Sequence, residues 1–256
     1  MGNLDSLLSA SQNTSSWRQA NFRHSPNSHF QAGNADFSPG WFMQRHEVNY
    51  LSIIALIIPT GLPCQRLEDG LYISTLLRTP AGGNFMAAIS NAEILINSVT
   101  ALCSRQLYQL GMESINILKN ELNGRRHDNV AFWPSVFSGI GVIVNRVTPS
   151  HRDKGACAQA YDLLVSMGTH TSATLSLSDV QAELSYQPGT IVLVCGRVLR
   201  HAVESWEGGD RICCAHYMRD NVHNRLGLPR PDWVDIHVYR DLMDGGFQSR
   251  HPLYLP

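Results

Sequence analysis

Charge is scarce in this chain of 256 residues: Asp, Glu, Lys and Arg together make up 16%, and the formal net charge is −1. A balance so close to zero excludes a broad basic field of the kind that gathers nucleic acid or an anionic membrane, so any such partner must be met by a local patch. The six cysteines (Cys64, Cys103, Cys157, Cys195, Cys213 and Cys214) include no CxxC pair or zinc-finger spacing. In apolar surroundings such thiols behave as small hydrophobes, which points to a reduced, intracellular protein. The N-terminal stretch MGNLDSLLSASQNTSSW lacks a basic start followed by an apolar run, so no secretory signal is expected, and Gly2 with Ser6 is only a partial match to a myristoylation pattern. Long hydrophobic runs are missing too. Leu51 to Ile58 is too short to span a bilayer and Pro59 closes it, so the chain is expected to be soluble.

Residues 1–45 are rich in Ser, Asn, Gln and Gly without sustained periodicity, the texture of a loosely ordered arm whose aromatics (Trp17, Phe22, Phe30, Phe37, Trp41, Phe42) leave room for it to drape over the body. The remainder, 46–256, reads as one domain. Its first part, 46–128, is helical: apolar residues recur at helical spacing through Leu95, Val99, Leu102, Ile115, Leu118 and Leu122, a stripe expected to be core. Gly111 is the expected break, and the helical stretch should end near Gly124.

From 129 to 256 short apolar or alternating segments follow one another: Ile140–Val147, Thr174–Leu177, Thr190–Cys195, Val198–Ser205 and Arg211–Arg219. Turn signals, QPG at 187–189 and EGGD at 207–210, separate them. Short strands preceded by helices predict an α+β fold, an antiparallel sandwich or barrel with helices packed outside it. The sequence shows no internal repeat.

One stretch asks for chemistry. IVNRVTPSHRDKGA, residues 143–156, ends a strand-like run with His151 and Asp153 two apart, and side chains at that spacing in an extended segment project to one face. Alone, the pair reads more readily as a surface turn in which Asp153 accepts a hydrogen bond and His151 caps it. About fifty residues on, GRVLRHAVESW supplies His201, and two histidines with one carboxylate are the ligands of the facial triad that holds non-haem iron(II) with open positions beside it. Arg211, after the Gly208-Gly209 signal, is placed to clamp a carboxylate through its fork of donors, and a hairpin would bring it beside His201. Of the other histidines, His216, His223 and His237 have no partner at ligand spacing and read as structural, while His170 lies in a polar THTS segment that reads as loop.

His151, Asp153, His201 and Arg211, in that order and spacing, resemble the iron(II)- and 2-oxoglutarate-dependent dioxygenases. The text around them (NRVTPSHRD, SLSDVQAELSYQPGTIVLVCGRVLRHAV and GGDRICCAHYMR) is similar to the TET/JBP branch, and among it to the compact TET-like proteins of fungi, over about residues 130–225. The resemblance implies a double-stranded β-helix (jelly-roll) core, Fe(II) on His151, Asp153 and His201, and 2-oxoglutarate anchored by Arg211. It further implies that Arg146 helps to hold 2-oxoglutarate and that Cys213 stands where relatives often carry a serine donor. Ala156 and Arg219 occupy the places where relatives have an Asn or Asp and a His against the methylated base.

The implied activity is oxidation of the methyl group of 5-methylcytosine in DNA, by a nuclear or otherwise intracellular monomer that flips the base into its pocket. The departures at Ala156 and Arg219 motivate the same chemistry on 6-methyladenine, thymine or RNA as an alternative; a non-catalytic DNA-binding relative is the other. Arg125, Arg126, His127, Arg219, Arg225, Arg230 and Arg240 are candidates for phosphate contact. The HRD triplet also opens the catalytic loop of protein kinases, but Ala158 stands where that loop needs Asn, no Gly-rich loop precedes a strand lysine, and Asp244-Gly245 lacks the Phe of DFG.

Overall fold

The computed structural model describes residues 22–23, 28–40, 72–123 and 128–233. Expectations attached to Trp17, Trp41, Phe42, Cys64, the Leu51–Ile58 run, Arg125, Arg126, His127, His237, Arg240 and Asp244 fall outside them.

Two long helices precede all but one of the strands. The first, α1, runs Pro80–Cys103; Thr79 caps it, its hydroxyl accepting from the Gly82 N–H, and Pro80 sits in the first turn, where a missing N–H costs nothing. The second, α2, is Arg105–Asn123, so the break falls at Ser104 rather than at Gly111. Gly111 lies inside α2 for a packing reason: a Cβ there would meet Val136 O at 2.5 Å and Met218 Cε at 2.7 Å. The expected core stripe holds in α2, where Ile115 and Leu118 are buried, but not throughout α1. There Leu95 and Leu102 face outward, and the buried residues are Gly82, Met86, Glu93, Ile96 and Thr100. A helix almost free of charge gives no contrast from which to read its inner face.

After a short helix, α3 (Asp128–Ala131), the chain builds two antiparallel sheets. The strands are β1 Gly33–Phe37, β2 Gly139–Val144, β3 Thr148–His151, β4 Asp162–Thr171, β5 Thr174–Leu177, β6 Ala182–Ser185, β7 Ile191–Val194, β8 His201–Val203 and β9 Glu207–Tyr217. One sheet has the order β1-β2-β9-β4-β7 and the other β3-β8-β5-β6. From β2 onward the chain passes back and forth between the sheets, which is the winding of a double-stranded β-helix. A last helix, α4 (Asp220–Leu226), ends on Gly227 in the left-handed region.

Alternation along the strands divides the core. Ile212 of β9 and Met218 just past its end pack toward the helices with Phe37, Met86, Leu107, Ile115 and Leu118, and His216 of β9 reaches Glu93 of α1. Arg211, Cys213, Ala215 and Tyr217 face the opposite way, into the space between the sheets. That space is sealed at one side by Leu175, Leu177, Tyr186, Val194, Val203 and Trp206. Phe37 is wholly buried, which contributes about 1.5–3 kcal/mol relative to exposure.

Several sequence expectations give way here. Residues 33–37, read as part of a loose arm, are the edge strand β1, with Gly33, Ala35 and Phe37 inward and Asn34 and Asp36 toward the cavity. Phe22 and Arg23 do drape over the body: Phe22 bridges Arg146, and the Arg23 guanidinium lies 4.5 Å from the Trp206 ring. His170 is no loop residue. It is buried in β4, its Nε2 3.2 Å from Tyr186 O. EGGD is not a turn either, because Glu207 to Asp210 already belong to β9; the glycines serve a bulge where the β4–β9 register shifts between Gly168 and His170.

Candidate active site

The strand that carries His151 is not the one that begins at Ile140. β2 ends at Val144, the chain crosses between the sheets at Asn145, and β3 then delivers His151 from the second sheet. Asn145 takes a left-handed backbone (φ 52°), which asparagine tolerates. Its side chain fixes the crossing: Nδ2 donates to Asp210 Oδ1 at 2.6 Å and Oδ1 accepts from the Arg211 N–H at 2.9 Å.

His151 and His201 are cross-strand partners on β3 and β8, and their ring centroids lie 4.3 Å apart. Asp153 lies just past the end of β3, its position set by its N–H donating to Gly196 O at 2.8 Å. The carboxylate reaches both imidazoles, His151 Nε2 to Oδ1 at 3.4 Å and His201 Nε2 to Oδ2 at 3.5 Å. One ligand atom from each residue falls within 4.8 Å of the others.

Both rings are oriented from behind. Nδ1 of His151 is 2.9 Å from Pro149 O, and Nδ1 of His201 is 3.1 Å from Leu199 O. A carbonyl only accepts, so each Nδ1 carries the proton and each Nε2 offers its lone pair to the common centre, the arrangement by which outer partners fix metal-binding histidines. Burial lowers the pKa of His201, which favours the neutral ligand form. Burial alone would raise the Asp153 carboxyl, but the hydrogen bond to His151 and the nearby charges of His201, His151 and Arg219 outweigh it and hold the group below its ordinary value. The donor set, two imidazoles and one carboxylate turned to a common centre, fits iron(II).

Arg152, between the two ligands in sequence, points away from them. Its Nη2 meets both oxygens of Asp179 at 3.0 Å and its Nε donates to Val198 O at 2.8 Å, tying the His-x-Asp segment to the turn that leads into His201.

The triad opens on a cavity of about 490 Å³ between the sheets. Arg211 lines it but not as His201's neighbour in a hairpin: β8 and β9 lie in opposite sheets, so imidazole and guanidinium face each other across the interior. Arg211 is only 2% exposed. Its Nη1 donates to Arg146 O at 2.9 Å, and the guanidinium sits 5.7 Å from the Tyr186 ring and 5.7 Å from that of Trp206. Its buried Nε meets no acceptor among the described residues. A rigid, dry guanidinium with an unanswered donor suits a carboxylate, as 2-oxoglutarate would supply.

Arg146 and Cys213 line the same cavity, and Cys213 Sγ lies 3.5 Å from the Tyr186 hydroxyl. Cys214, next along β9, faces the helices. Ala156 and Arg219 are brought together as an isolated bridge at the cavity wall. Arg230, a candidate for phosphate contact, is committed elsewhere, to Asp220 Oδ1 at 2.7 Å and Asn224 Oδ1 at 2.6 Å.

Tyr186, Tyr217 and Asp162 line the cavity and escaped the sequence reading, as did Trp206, whose ring flanks the Arg211 guanidinium. Asp162 is the least expected. It is 3% exposed, both oxygens lack a hydrogen-bond partner among the described residues, and burial, reinforced by Asp153, pushes its pKa well up. The signal was a single acid opening the apolar strand DLLV.

Residues 98–220 match the family model Tet_JBP, the oxygenase domain of the 2OGFeDO superfamily. Among solved structures, the chain is similar to NgTET1 in complex with 5mC DNA, at 14% identity and a TM-score of 0.46, covering 68% of this chain and 63% of that one. It is also similar to a Cupin 2 conserved barrel domain protein from Salinispora arenicola CNS-205, at 17% identity and a TM-score of 0.26, covering 35% of this chain and 69% of that one. No curated protein matches the chain. The superfamily works with iron(II) and 2-oxoglutarate, and the triad and buried Arg211 fit both. Residues 98–220, which hold the triad and Arg211, thus match the Tet/JBP oxygenase domain of the 2OGFeDO superfamily, whose members are iron(II)- and 2-oxoglutarate-dependent dioxygenases.

Proposed function

We propose that this dioxygenase oxidises the methyl group of 5-methylcytosine in DNA. The observation that carries the reading is the two-ended cavity. Arg211 and Tyr217 are six residues apart on β9, about 20 Å at the usual strand rise, and the triad lines the same cavity. The Arg211 end suits the co-substrate. The Tyr217 end, with Ala156, Asp162 and Arg219, leaves space and polar groups for a planar base. The match of residues 98–220 to the Tet/JBP oxygenase domain supports the reading.

In this proposal His151, Asp153 and His201 hold iron(II), Arg211 holds the far carboxylate of 2-oxoglutarate, and Arg146 adds positive charge to that end. Bound together, iron and 2-oxoglutarate supply the dioxygen-activating oxidant that a C–H bond of a methyl group requires. The chain's own work is to position and to exclude water. Pro149 O and Leu199 O fix the imidazoles, and Leu164, Leu175 and Val203 give the cavity an apolar wall. A stacked base cannot reach the triad, so it must leave the duplex at a cost of roughly a few kcal/mol. Exposed Lys154 and Arg200 are the sequence neighbours of Asp153 and His201, and exposed Arg197 donates through Nη1 to Lys154 O, local basic residues suited to phosphate. We place the protein with its DNA in the nucleus or elsewhere inside the cell, acting as a monomer.

The test is direct. Purified protein with iron(II), 2-oxoglutarate and ascorbate is given duplexes carrying 5-methylcytosine or 6-methyladenine, and released nucleosides are read by mass spectrometry. Oxidised 5-methylcytosine is expected. Product from 6-methyladenine alone overturns the choice of base, and DNA binding without succinate formation overturns the enzymatic reading.

A further inference from the structure

The Arg211 end of the cavity holds more hydrogen-bond donors than acceptors. Arg211 Nε, buried, meets no acceptor among the described residues. Tyr186 lines the same end, wholly buried, with its ring 5.7 Å from the Arg211 guanidinium. Its hydroxyl has one partner among the described residues, Cys213 Sγ at 3.5 Å. A phenol and a thiol carry one hydrogen each, so whichever of the two donates to the other, one hydrogen is left over. Burying an unanswered donor is costly, and here two of them, Arg211 Nε and the surplus hydrogen of the Tyr186–Cys213 pair, stand at one end of one cavity.

The backbone that carries this hydroxyl is held from both sides. The Tyr186 N–H donates to Ala173 O at 2.9 Å, and its carbonyl accepts from Ser166 Oγ at 3.0 Å and from His170 Nε2 at 3.2 Å. Ser166 and His170 are buried polar residues of β4, so that strand devotes two such groups to fixing one tyrosine. Burial, reinforced by the neighbouring Cys213, raises the pKa of the phenol, and the hydroxyl therefore keeps its proton at neutral pH.

We infer that the Tyr186 hydroxyl donates to the far carboxylate of 2-oxoglutarate beside the Arg211 guanidinium, with the Cys213 thiol donating to the phenol oxygen behind it. This role rests on the superfamily's co-substrate and not on which base is oxidised. Of the two groups the thiol is the weaker donor, so the favourable order gives the phenol to the charged acceptor and the thiol to the phenol. A carboxylate offers about four lone-pair sites, and a guanidinium fork that takes two of them leaves room for a third donor. A 2-oxo acid that ends in a methyl group answers neither Arg211 nor Tyr186. The hydroxyl thus selects for a second carboxylate and does not strengthen the hold on 2-oxo acids in general.

The test titrates the full chain, loaded with iron(II) and kept free of oxygen, with 2-oxoglutarate and with 2-oxovalerate, which has the same 2-oxo acid head and a methyl group in place of the far carboxylate. Binding is read by calorimetry, 2-oxovalerate as a competitor, with thermal melting and iron affinity measured alongside. Tyr186→Phe keeps the ring beside Arg211 and removes only the hydroxyl. Its 2-oxoglutarate dissociation constant should rise about ten-fold or more, while 2-oxovalerate binding, melting temperature and iron affinity stay at wild-type values. An unchanged 2-oxoglutarate affinity overturns the inference. So does an equal loss for both ligands, because damage to the metal site or to the packing weakens both alike. Tyr186→Met, flexible enough to refill the space without a hydroxyl, carries the same comparison should Tyr186→Phe not fold. A wild type that does not bind 2-oxoglutarate overturns this role outright, whereas one that binds it through the hydroxyl and oxidises no 5-methylcytosine overturns the proposed function alone.

Discussion

Replacing Arg211 by Met separates what the buried guanidinium does for 2-oxoglutarate from what it does for the fold. Methionine keeps an unbranched stem between Tyr186 and Trp206, whose rings lie 5.7 Å from the guanidinium, but removes the charge and every donor. The internal loss is the hydrogen bond to Arg146 O, made at 2.9 Å. The larger loss is to the ligand. A hydrogen bond to a charged partner contributes about 1.5–3 kcal/mol, and a bidentate pair to a carboxylate in a site only 2% exposed loses at least two of them, about 3 kcal/mol or more. At roughly 1.4 kcal/mol per factor of ten, 2-oxoglutarate affinity should fall about 100-fold. Arg211→Lys retains a point charge without the fork and should fall between wild type and Arg211→Met. The assay is calorimetric titration of 2-oxoglutarate into the iron-loaded chain without oxygen, alongside thermal melting and an iron titration of each variant. An Arg211→Met protein that melts normally, holds iron and binds 2-oxoglutarate within about threefold of wild type refutes the anchoring role.

Three further perturbations probe the surroundings. Gly196→Ala forces a Cβ to 2.5 Å from oxygens of Asp153 and Asp162, so Asp153 must move and iron affinity should drop about ten-fold or more in competition with a chelator; unchanged affinity shows that Asp153 does not need the gap at Gly196. Glu93→Ala leaves His216, 2.8 Å from that carboxylate and buried beneath α1, without its ion partner, which should cost about 3 kcal/mol in denaturant unfolding. Because His216 faces the helices and not the cavity, 2-oxoglutarate affinity should be unaltered. Burial would raise the Asp210 carboxyl, but hydrogen bonds from Asn145, the His29 N–H and Ser28 outweigh it and lower its pKa on folding. That stability is present above the unfolded pKa of about 3.9 and is lost as pH falls through the folded value. Asp210→Asn should therefore be less stable at neutral pH and flatter below about pH 4, and an acid limb identical to wild type excludes the contribution.

The triad was legible because its signal is local. His151 and Asp153 are two residues apart, His201 opens the short strand β8, and Arg211 sits in β9, where the apolar run that follows it survives in the text. Their mutual placement was not legible. A hairpin was the simplest connection between His201 and Arg211, but the chain switches sheets between β8 and β9, and only the assembled sandwich sets the two side chains face to face. β4 was missed because Ser166, Gly168 and the THT triplet interrupt its alternation, and these polar groups are satisfied only by tertiary partners, as His170 is by Tyr186 O. β1 was missed because a five-residue strand made of Gly, Asn, Ala, Asp and Phe carries little β-propensity and is held by its pairing to β2. Asp162 could not stand out, since a lone acid before an apolar run is ordinary until its burial is known.

Everything turns on whether His151, Asp153 and His201 bind one metal ion together. Titrating the full chain anaerobically with iron(II), by equilibrium dialysis, tests this directly: the wild type should bind a single ion per chain, and Asp153→Ala, folded but short of its carboxylate, should not. An Asp153→Ala protein that retains the same stoichiometry and affinity contradicts the site at its centre.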